Sequence, residues 1–361
     1  MMLSTETDHV LNRCRELGFA LAGVASAAPT HYAAELKAWL GAGRHGEMAY
    51  LARNLEALLD PQHVLPGATS IICVGDRYHT GGTDRIDFTG SPRGRIARYA
   101  RGDDYHIIIK KRLHALCDEL AGAYPDHAFR ACVDTAPLLE REYAMRAGLG
   151  AIGKHTLLIE QGAGSYLLLG EVLTTLPLTP TQAQPGEPVD PCGSCTRCID
   201  ACPTNAISPW SVDGTRCISY LTIEHRSEID TSLHAAMGDW LFGCDICQEV
   251  CPHNQPTRAK ENLTTHRAYV PRDDRLQGFP LLDVLNWDET ARRSAFTGSS
   301  MKRAKLSMMK RNAVICAGNA LRENENAALR MRIEAIAADL AEDEIVRSAA
   351  RAVIAQSSRT V

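Results

Sequence analysis

The sequence predicts a mixed α/β (α+β) amino-terminal domain, a small module organised by cysteines, and an α-helical carboxy-terminal region. Three observations predict it. Apolar runs of strand length alternate with helical periodicity over the first 180 residues, eight cysteines crowd into residues 192–251, and the composition turns helical after about residue 260. The domains are expected at 1–180, 181–260 and 261–361.

In the first domain, DHVLNRCRELGFALAGVA places Val10, Leu11, Cys14 and Leu17 at helical spacing and runs on into a short apolar strand. TSIICVGDRY and AFRACVD read as buried strands, YHIIIKKRLHALCDELAGAY as a long helix, and LLEREYAMRAGLG as a helix closed by glycine. HTLLIEQGAGSYLLLGEVLTTL reads as two strand-like runs joined by a Gly-rich turn, which predicts a hairpin. Residues 177–191, PLTPTQAQPGEPVDP, lack any apolar period and read as a linker. Near the end, Ala313, Cys316, Ala317, Ala320 and Leu321 match Val346, Ala349, Ala350, Val353 and Ile354 at one constant shift. That pattern suggests a HEAT-like helical repeat, with two unrelated amphipathic helices as the alternative.

Composition narrows the class. Hydrophobic content of 45% and charged content of 23% are those of an ordinary globular protein, and no apolar run approaches the length of a membrane span. The polar, acidic start MMLSTETDHV does not resemble a signal peptide, so a cytoplasmic protein with no membrane partner is expected; a monomer is the further expectation. A net charge of -4 excludes a uniformly basic nucleic-acid binder but leaves room for local basic surfaces.

Among 13 cysteines, Cys192, Cys195, Cys198 and Cys202-Pro203 form C-x2-C-x2-C-x3-C-P, while Cys244, Cys247 and Cys251-Pro252 form C-x2-C-x3-C-P. Three thiolates spaced by two residues wrap three corners of a cubane, and the cysteine before proline serves the other cluster. By that logic Cys192, Cys195, Cys198 and Cys251 hold one 4Fe–4S cluster, and Cys202, Cys217, Cys244 and Cys247 hold a second, in a ferredoxin-like module interrupted by residues 218–243. Two Zn(Cys)4 sites would explain the C-x2-C pairs but neither the longer run nor the Cys-Pro pairs. The other five, Cys14, Cys73, Cys117, Cys132 and Cys316, sit in apolar contexts and read as buried hydrophobes.

GLGAIGKHT carries Gly148, Gly150 and Gly153 in a G-x-G-x-x-G spacing, but it follows a helix rather than a strand, so neither a dinucleotide site nor a P-loop is expected. Richer chemistry lies in RYARGDDYH, where Tyr105 and His106 open a helix, and in VDTAPLLERE, where Asp134 ends a strand. A strand-end acid whose pKa is raised by apolar walls stays protonated and can donate a proton; capping the next turn is the commoner role.

Taken together, RYARGDDYH, VDTAPLLEREYAMRAGLGAIGKHTLLI, GSYLLLGEVLTTLPL, CGSCTRCIDACPTNAI, CISYLTIEH and GCDICQEVCPHN occur in the order found in epoxyqueuosine reductases, which the chain resembles from about residue 45 to 320. The resemblance implies a first domain similar to the cobalamin-binding core of reductive dehalogenases. It implies base-off cobalamin fed by the two clusters, and reduction of epoxyqueuosine to queuosine at the wobble position of tRNAs with GUN anticodons. It makes Asp134 the proton donor, sets Tyr105 and His106 near the substrate, and puts Ala97, Asp134, Leu158, Ser165, Leu169, Thr222 and His225 around the corrin. A low-potential electron donor is also implied. At NLEALLDP, Ala57 and Leu58 stand where relatives often carry a basic residue, and the helical end is short for the family.

Basic runs at Arg93, Arg95, Arg98, Arg101, Lys110, Lys111 and Arg112, and at Lys302, Arg303, Lys305, Lys310 and Arg311, could meet tRNA phosphates, as could Arg141. Two other functions compete: a corrinoid iron–sulfur reductase of a small molecule, and a ferredoxin-type electron-transfer protein without a substrate of its own.

Overall fold

The structure, a computed structural model, describes residues 3–79, 91–182, 189–257, 260, 263–271 and 278–357. From the amino terminus, α1 (Thr5–Glu16), β1 (Leu21–Ser26), α2 (Ala33–Gly41), α3 (Ala49–Arg53) and α4 (Leu55–Leu59) precede β2 (Ser70–Arg77) and β3 (Arg93–Ile96). Next come α5 (Tyr105–Ala123), β4 (Phe129–Cys132), α6 (Glu140–Arg146), β5 (Ala151–Ile152), β6 (Leu158–Ile159) and β7 (Leu167–Thr174). The cysteine region holds α7 (Arg197–Asp200), β8 (Ile207–Ser208), β9 (Ser211–Val212), α8 (Ile218–Ile223), β10 (Trp240–Phe242) and α9 (Ile246–Glu249). The chain ends in β11 (Gly278–Pro280), α10 (Leu281–Asn286), α11 (Glu289–Ala295), α12 (Leu306–Glu323), α13 (Ala327–Ala338) and α14 (Glu344–Ser357).

The main sheet runs β1-β2-β7-β4, and every pair in it is antiparallel. Alternation along the strands buries both faces. Ile72 and Val74 point with Val172 into a core shared with α1 and α5, while Ile71 and Cys73 point with Leu173 into a second core shared with α6. The close approach of α5 requires Gly170: a Cβ there would stand 2.7 Å from Ile109 Cγ2.

The expected hairpin is not formed. Its first run pairs as β6 with β5, its second joins β2 and β4, and between them only Glu160 and Gly164 make an isolated bridge. A strand buried on both faces gains more apolar contact in the middle of a four-stranded sheet than beside a two-residue neighbour. The first part of the expected linker is also pinned: the Thr181 N–H donates to Val24 O at 3.0 Å, its hydroxyl donates to Ala147 O at 2.6 Å, and Leu178 is buried. Residues 183–188 of that linker lie outside the described residues.

A third core draws on distant stretches of chain. In it β3 pairs parallel with β10 and antiparallel with β11, and the sheet packs with α8, α10 and α12–α14. The two matched stretches of the carboxy-terminal region lie on α12 and α14, where Ala313, Cys316 and Ala317 share that core with Val346, Ala349, Ala350 and Val353.

Gly170→Val is expected to lower stability by about 1–3 kcal/mol through overpacking against α5, seen as a lower thermal midpoint. Gly122→Ala, at a position with no atom within 4 Å of the new Cβ, should leave the midpoint unchanged or raise it.

Candidate functional site

Helix α5 begins at Asp104, whose carboxylate accepts the His106 backbone N–H at 3.2 Å, the ordinary action of an N-cap acid. The same carboxylate lies 2.8 Å from His106 Nδ1, and His106 Nε2 lies 2.9 Å from Asp134 Oδ2. A ring nitrogen facing a carboxylate on each side must donate on each side, so the geometry suits an imidazolium. Burial pushes the His106 pKa down, but the bonds from Asp104 and Asp134 outweigh it and bring it up to about 9. Tyr105 stacks on the ring, with centroids 3.9 Å apart.

Asp134 follows β4 with a left-handed φ of 46°, uncommon outside glycine and a feature of strained functional turns. Its N–H donates to the Glu140 carboxylate at the start of α6. Its own carboxyl remains 44% exposed, within reach of a substrate. Burial pushes that carboxyl up, and the bond from His106 together with the ring's charge and Arg303 outweighs it, leaving it below the ordinary carboxylate range. This corrects the expectation that apolar walls keep Asp134 protonated. The proton of the pair stands on His106, because a cation bonded to the carboxylate favours its charged form.

Beneath Asp134 lies a second acid pair that the reading of the sequence left unassigned. Glu171, fully buried in mid-β7, is opposite Cys73 and Cys132 in the sheet. Burial, then mutual repulsion with Glu140, pushes its carboxyl well up, and burial with the nearby Asp134 charge raises Glu140 to about 7. The signal for Glu140 was present in VDTAPLLE, three residues beyond the proline; Glu171 sits inside an apolar run and carries no local signal.

The cysteines gather into two adjacent groups. One cavity is lined by Cys192, Cys195, Cys198 and Cys251 together with His155 and His253. Cys217 lies within electrostatic reach of Cys202, Cys244 and Cys247, and burial, followed by Cys217 and Asp245, pushes the Cys247 thiol up. Among the described residues no three Cys, His, Asp or Glu side chains converge as ligands of one metal ion. A cubane carries its irons on the corners of a cage, so four thiols around a cavity suit it. The Cys14, Cys73, Cys117, Cys132 and Cys316 thiols are buried elsewhere.

The cysteine module is bolted to the first domain. The Ser165 N–H donates to Asn254 Oδ1 at 2.7 Å, Asn254 Nδ2 donates back to the Ser165 hydroxyl, and that hydroxyl donates to Gln248 Oε1 at 3.0 Å. Gly164, at φ 106°, permits this contact: a Cβ would stand 2.1 Å from Asn254 Oδ1.

Of the residues expected around a corrin, Leu169 and His225 are part-buried, while Ala97, Leu158, Ser165 and Thr222 are buried. Ala97 and Thr222 meet at Gly243, whose N–H donates to the Thr222 hydroxyl at 2.9 Å. That hydroxyl donates in turn to Ile218 O, and His225 bonds Glu228 O, so as folded these side chains serve the protein itself.

The basic runs separate sharply. Arg311 is 1% exposed, and its guanidinium bonds the carbonyls of Leu221, His225 and Ser227 and the Asn312 side chain. Lys310 is paired with Glu342 at 2.6 Å. Both are buried, and each neutralises or organises groups inside the fold. In the first run Arg98 bonds Asp245 and Glu249, Arg101 bonds Ile96 O, Arg95 pairs with Asp239, Arg112 with Asp76, and Arg93 with Gly278 O. Only Lys110 and Lys111 of that run are exposed. Lys302, Arg303 and Lys305 are exposed, and Arg303 pairs with Glu224 at 2.5 Å while lying over the Tyr50 ring. Arg141, also exposed, bonds Thr156 O.

A paired-cluster cysteine module fastened to an acid–histidine site defines an iron–sulfur oxidoreductase. A family described as 4Fe-4S double cluster binding domain matches residues 191–254, and one described as epoxyqueuosine reductase QueG, DUF1730, matches residues 59–135. An epoxyqueuosine reductase of Pseudomonas aeruginosa is 38% identical over 314 residues, covering 85% of this chain and 83% of its own. A crystal structure of epoxyqueuosine reductase with an epoxyqueuosine-modified tRNA-Tyr stem loop superposes with TM-score 0.81 at 25% identity, covering 96% of this chain and 88% of that one. The Bacillus subtilis enzyme, with an aspartate catalytic loop swung out of its active site, superposes with TM-score 0.80 at 25% identity over 95% of this chain and 88% of that one. The chain belongs to the epoxyqueuosine reductase family. Among the described residues no helix is long and apolar enough to cross a membrane.

With the His106 pKa raised from 6.5 to about 9, the stabilisation from its two carboxylates is fully present below 6.5 and is lost as pH rises through about 9. An NMR titration of His106 is expected to give a midpoint near 9, and Asp134→Asn should move it down towards the ordinary histidine value.

Proposed function

We propose that this chain reduces epoxyqueuosine to queuosine at the wobble position of tRNA. The epoxide loses its oxygen as water and its two carbons become an alkene, which consumes two electrons and two protons. The reading rests on 38% identity with a named epoxyqueuosine reductase over 85% of the chain. The observation of chemistry that carries it is a proton held on His106 and aimed at the exposed carboxylate of Asp134.

In this reading His106 passes its Nε2 proton along the 2.9 Å bond to Asp134 Oδ2, and Asp134 delivers it to the departing oxygen. Tyr105 holds the imidazole plane by stacking, and Asp104 steadies the imidazolium through Nδ1. Glu140 holds the Asp134 turn by accepting its N–H. Cys192, Cys195, Cys198 and Cys251 would bind the first cluster, and Cys202, Cys217, Cys244 and Cys247 the second. Base-off cobalamin, when bound, supplies a low-valent cobalt able to pass the electrons to the epoxide. Leu169 and His225 are the expected corrin neighbours with remaining exposed surface, and Ala97, Leu158, Ser165 and Thr222 would contribute through backbone and small apolar faces. Residues 1–180 would form the cobalamin-binding catalytic domain, 181–260 the cluster module and 261–361 the helical region that meets tRNA. The protein is taken to be cytoplasmic and monomeric and to draw on a low-potential donor.

The RNA surface narrows to Lys302, Arg303 and Lys305, with Arg141 in the first turn of α6. A wobble base must leave the anticodon stack to reach Asp134, and a basic rim holds the flanking phosphates while it does so.

Nucleoside analysis of an epoxyqueuosine-containing stem loop, incubated with reconstituted enzyme, cobalamin and a low-potential reductant, is expected to show conversion to queuosine; persistence of the epoxide overturns the reading. Asp134→Asn should cut turnover by about 10²–10⁴-fold, the usual worth of a positioned acid, and wild-type turnover should fall as pH passes about 9. Lys302→Ala and Lys305→Ala should each weaken stem-loop binding and reduce its log–log salt slope by about 1. Arg311→Met should lower the thermal midpoint.

A further inference from the structure

The segment Gly153-Lys154-His155 belongs to the glycine-rich stretch that fits neither a dinucleotide site nor a P-loop. In the fold it lies against the cavity of Cys192, Cys195, Cys198 and Cys251. The Lys154 N–H donates to Cys192 Sγ at 3.3 Å, and its buried ammonium donates to Gly193 O at 2.6 Å and Cys195 O at 3.1 Å. The lysine thus clamps the first cysteine loop by both its backbone and its side chain.

His155 is 3% exposed and lines the same cavity. Its Nδ1 accepts the Leu157 N–H at 3.2 Å, so in the neutral ring the proton sits on Nε2. That Nε2 is buried and without a hydrogen-bond partner. A buried N–H left unpaired costs about 1–3 kcal/mol, and the other histidine at this cavity is engaged: His253 Nε2 bonds Pro191 O at 2.9 Å. What the cavity would hold is a cage of iron and sulfide, whose sulfurs accept hydrogen bonds and become better acceptors on reduction.

We propose that His155 donates its Nε2–H to a sulfur of the first 4Fe–4S cluster and, with the Lys154 amide on Cys192, sets that cluster's reduction potential. The inference rests on the ligand set proposed above. The step concerned is a one-electron reduction of the cluster by the low-potential donor. No bond forms or breaks, and the proton stays on the ring. A donor to sulfur stabilises the more negative, reduced cluster, so removing it makes the cluster harder to reduce.

The test uses the reconstituted two-cluster protein, titrated with dithionite and followed by electron paramagnetic resonance. His155→Leu is expected to lower the reduced-to-oxidised ratio of the first cluster about tenfold at a fixed potential, a shift of about 59 mV for one electron. His155→Asn, which keeps an N–H donor, should recover most of it. Pulsed resonance on reduced wild type labelled with ¹⁵N-histidine supplies a readout independent of how well His155→Leu assembles. A nitrogen coupling that persists in His253→Asn and vanishes in His155→Asn is expected. Two intact cluster signals without that coupling overturn the proposal and leave the ligand assignment standing. A wild-type protein that assembles only one cluster overturns the assignment, and the proposal with it.

Discussion

The close approach of α5 to β7 at Gly170 is the constraint on which the site depends. Because no side chain separates them there, the helix lies flat against the strand, and its first turn brings His106 to the end of β4 where Asp134 begins its left-handed turn. The next residue on the strand, Glu171, sits under Glu140, which in turn holds the Asp134 backbone N–H. Just before the strand, Ser165 receives the cysteine module through Asn254 and Gln248. One strand therefore sets the position of the acid, the histidine and the clusters' carrier, and each is referred to the same rigid sheet.

Electrostatics then sorts the protons. Four carboxyl groups, Asp104, Asp134, Glu140 and Glu171, neighbour one another in succession, with the His106 imidazole between the first two. Asp104 and Asp134 face the imidazole and take the charged form, while Glu140 and Glu171 are buried together and pushed towards the neutral form. Repulsion between neighbouring buried carboxylates and attraction to one cation act in opposite directions over a few ångströms. The result is a site with an imidazolium at its open end and, beneath it, two acids pushed towards the neutral form.

Much of this was legible one element at a time. The helix over YHIIIKKRLHALCDELAGAY, the strands at TSIICVGDRY and AFRACVD and the helix ended by Gly148 stand where periodicity and caps put them. The cysteine spacing predicted groups of four thiols, and the fold gathers Cys192, Cys195, Cys198 and Cys251 around one cavity. The hairpin failed because the choice of a strand's partner is not written in the strand: β7 reads the same beside β6 or between β2 and β4. Basic runs failed for a similar reason. Arg98 and Arg311 are as basic as Lys302, yet they bond carbonyls and acids contributed by residues far away in sequence.

By itself the sequence determined the local chemistry: which residues cap and start helices, which glycines end them, and a set of thiols whose spacing suits two clusters. Those properties depend on neighbours a few residues apart. Only the tertiary structure decided where the proton rests, since the charge state of Asp134 is governed by His106, 28 residues earlier, across a 2.9 Å bond. It alone decided which cations stay in solvent, and it turned a glycine-rich stretch with no sequence-level purpose into a clamp on the cysteine cavity. A pKa, a desolvated charge and an unpaired N–H are all properties of an environment, and the environment is assembled from the whole chain.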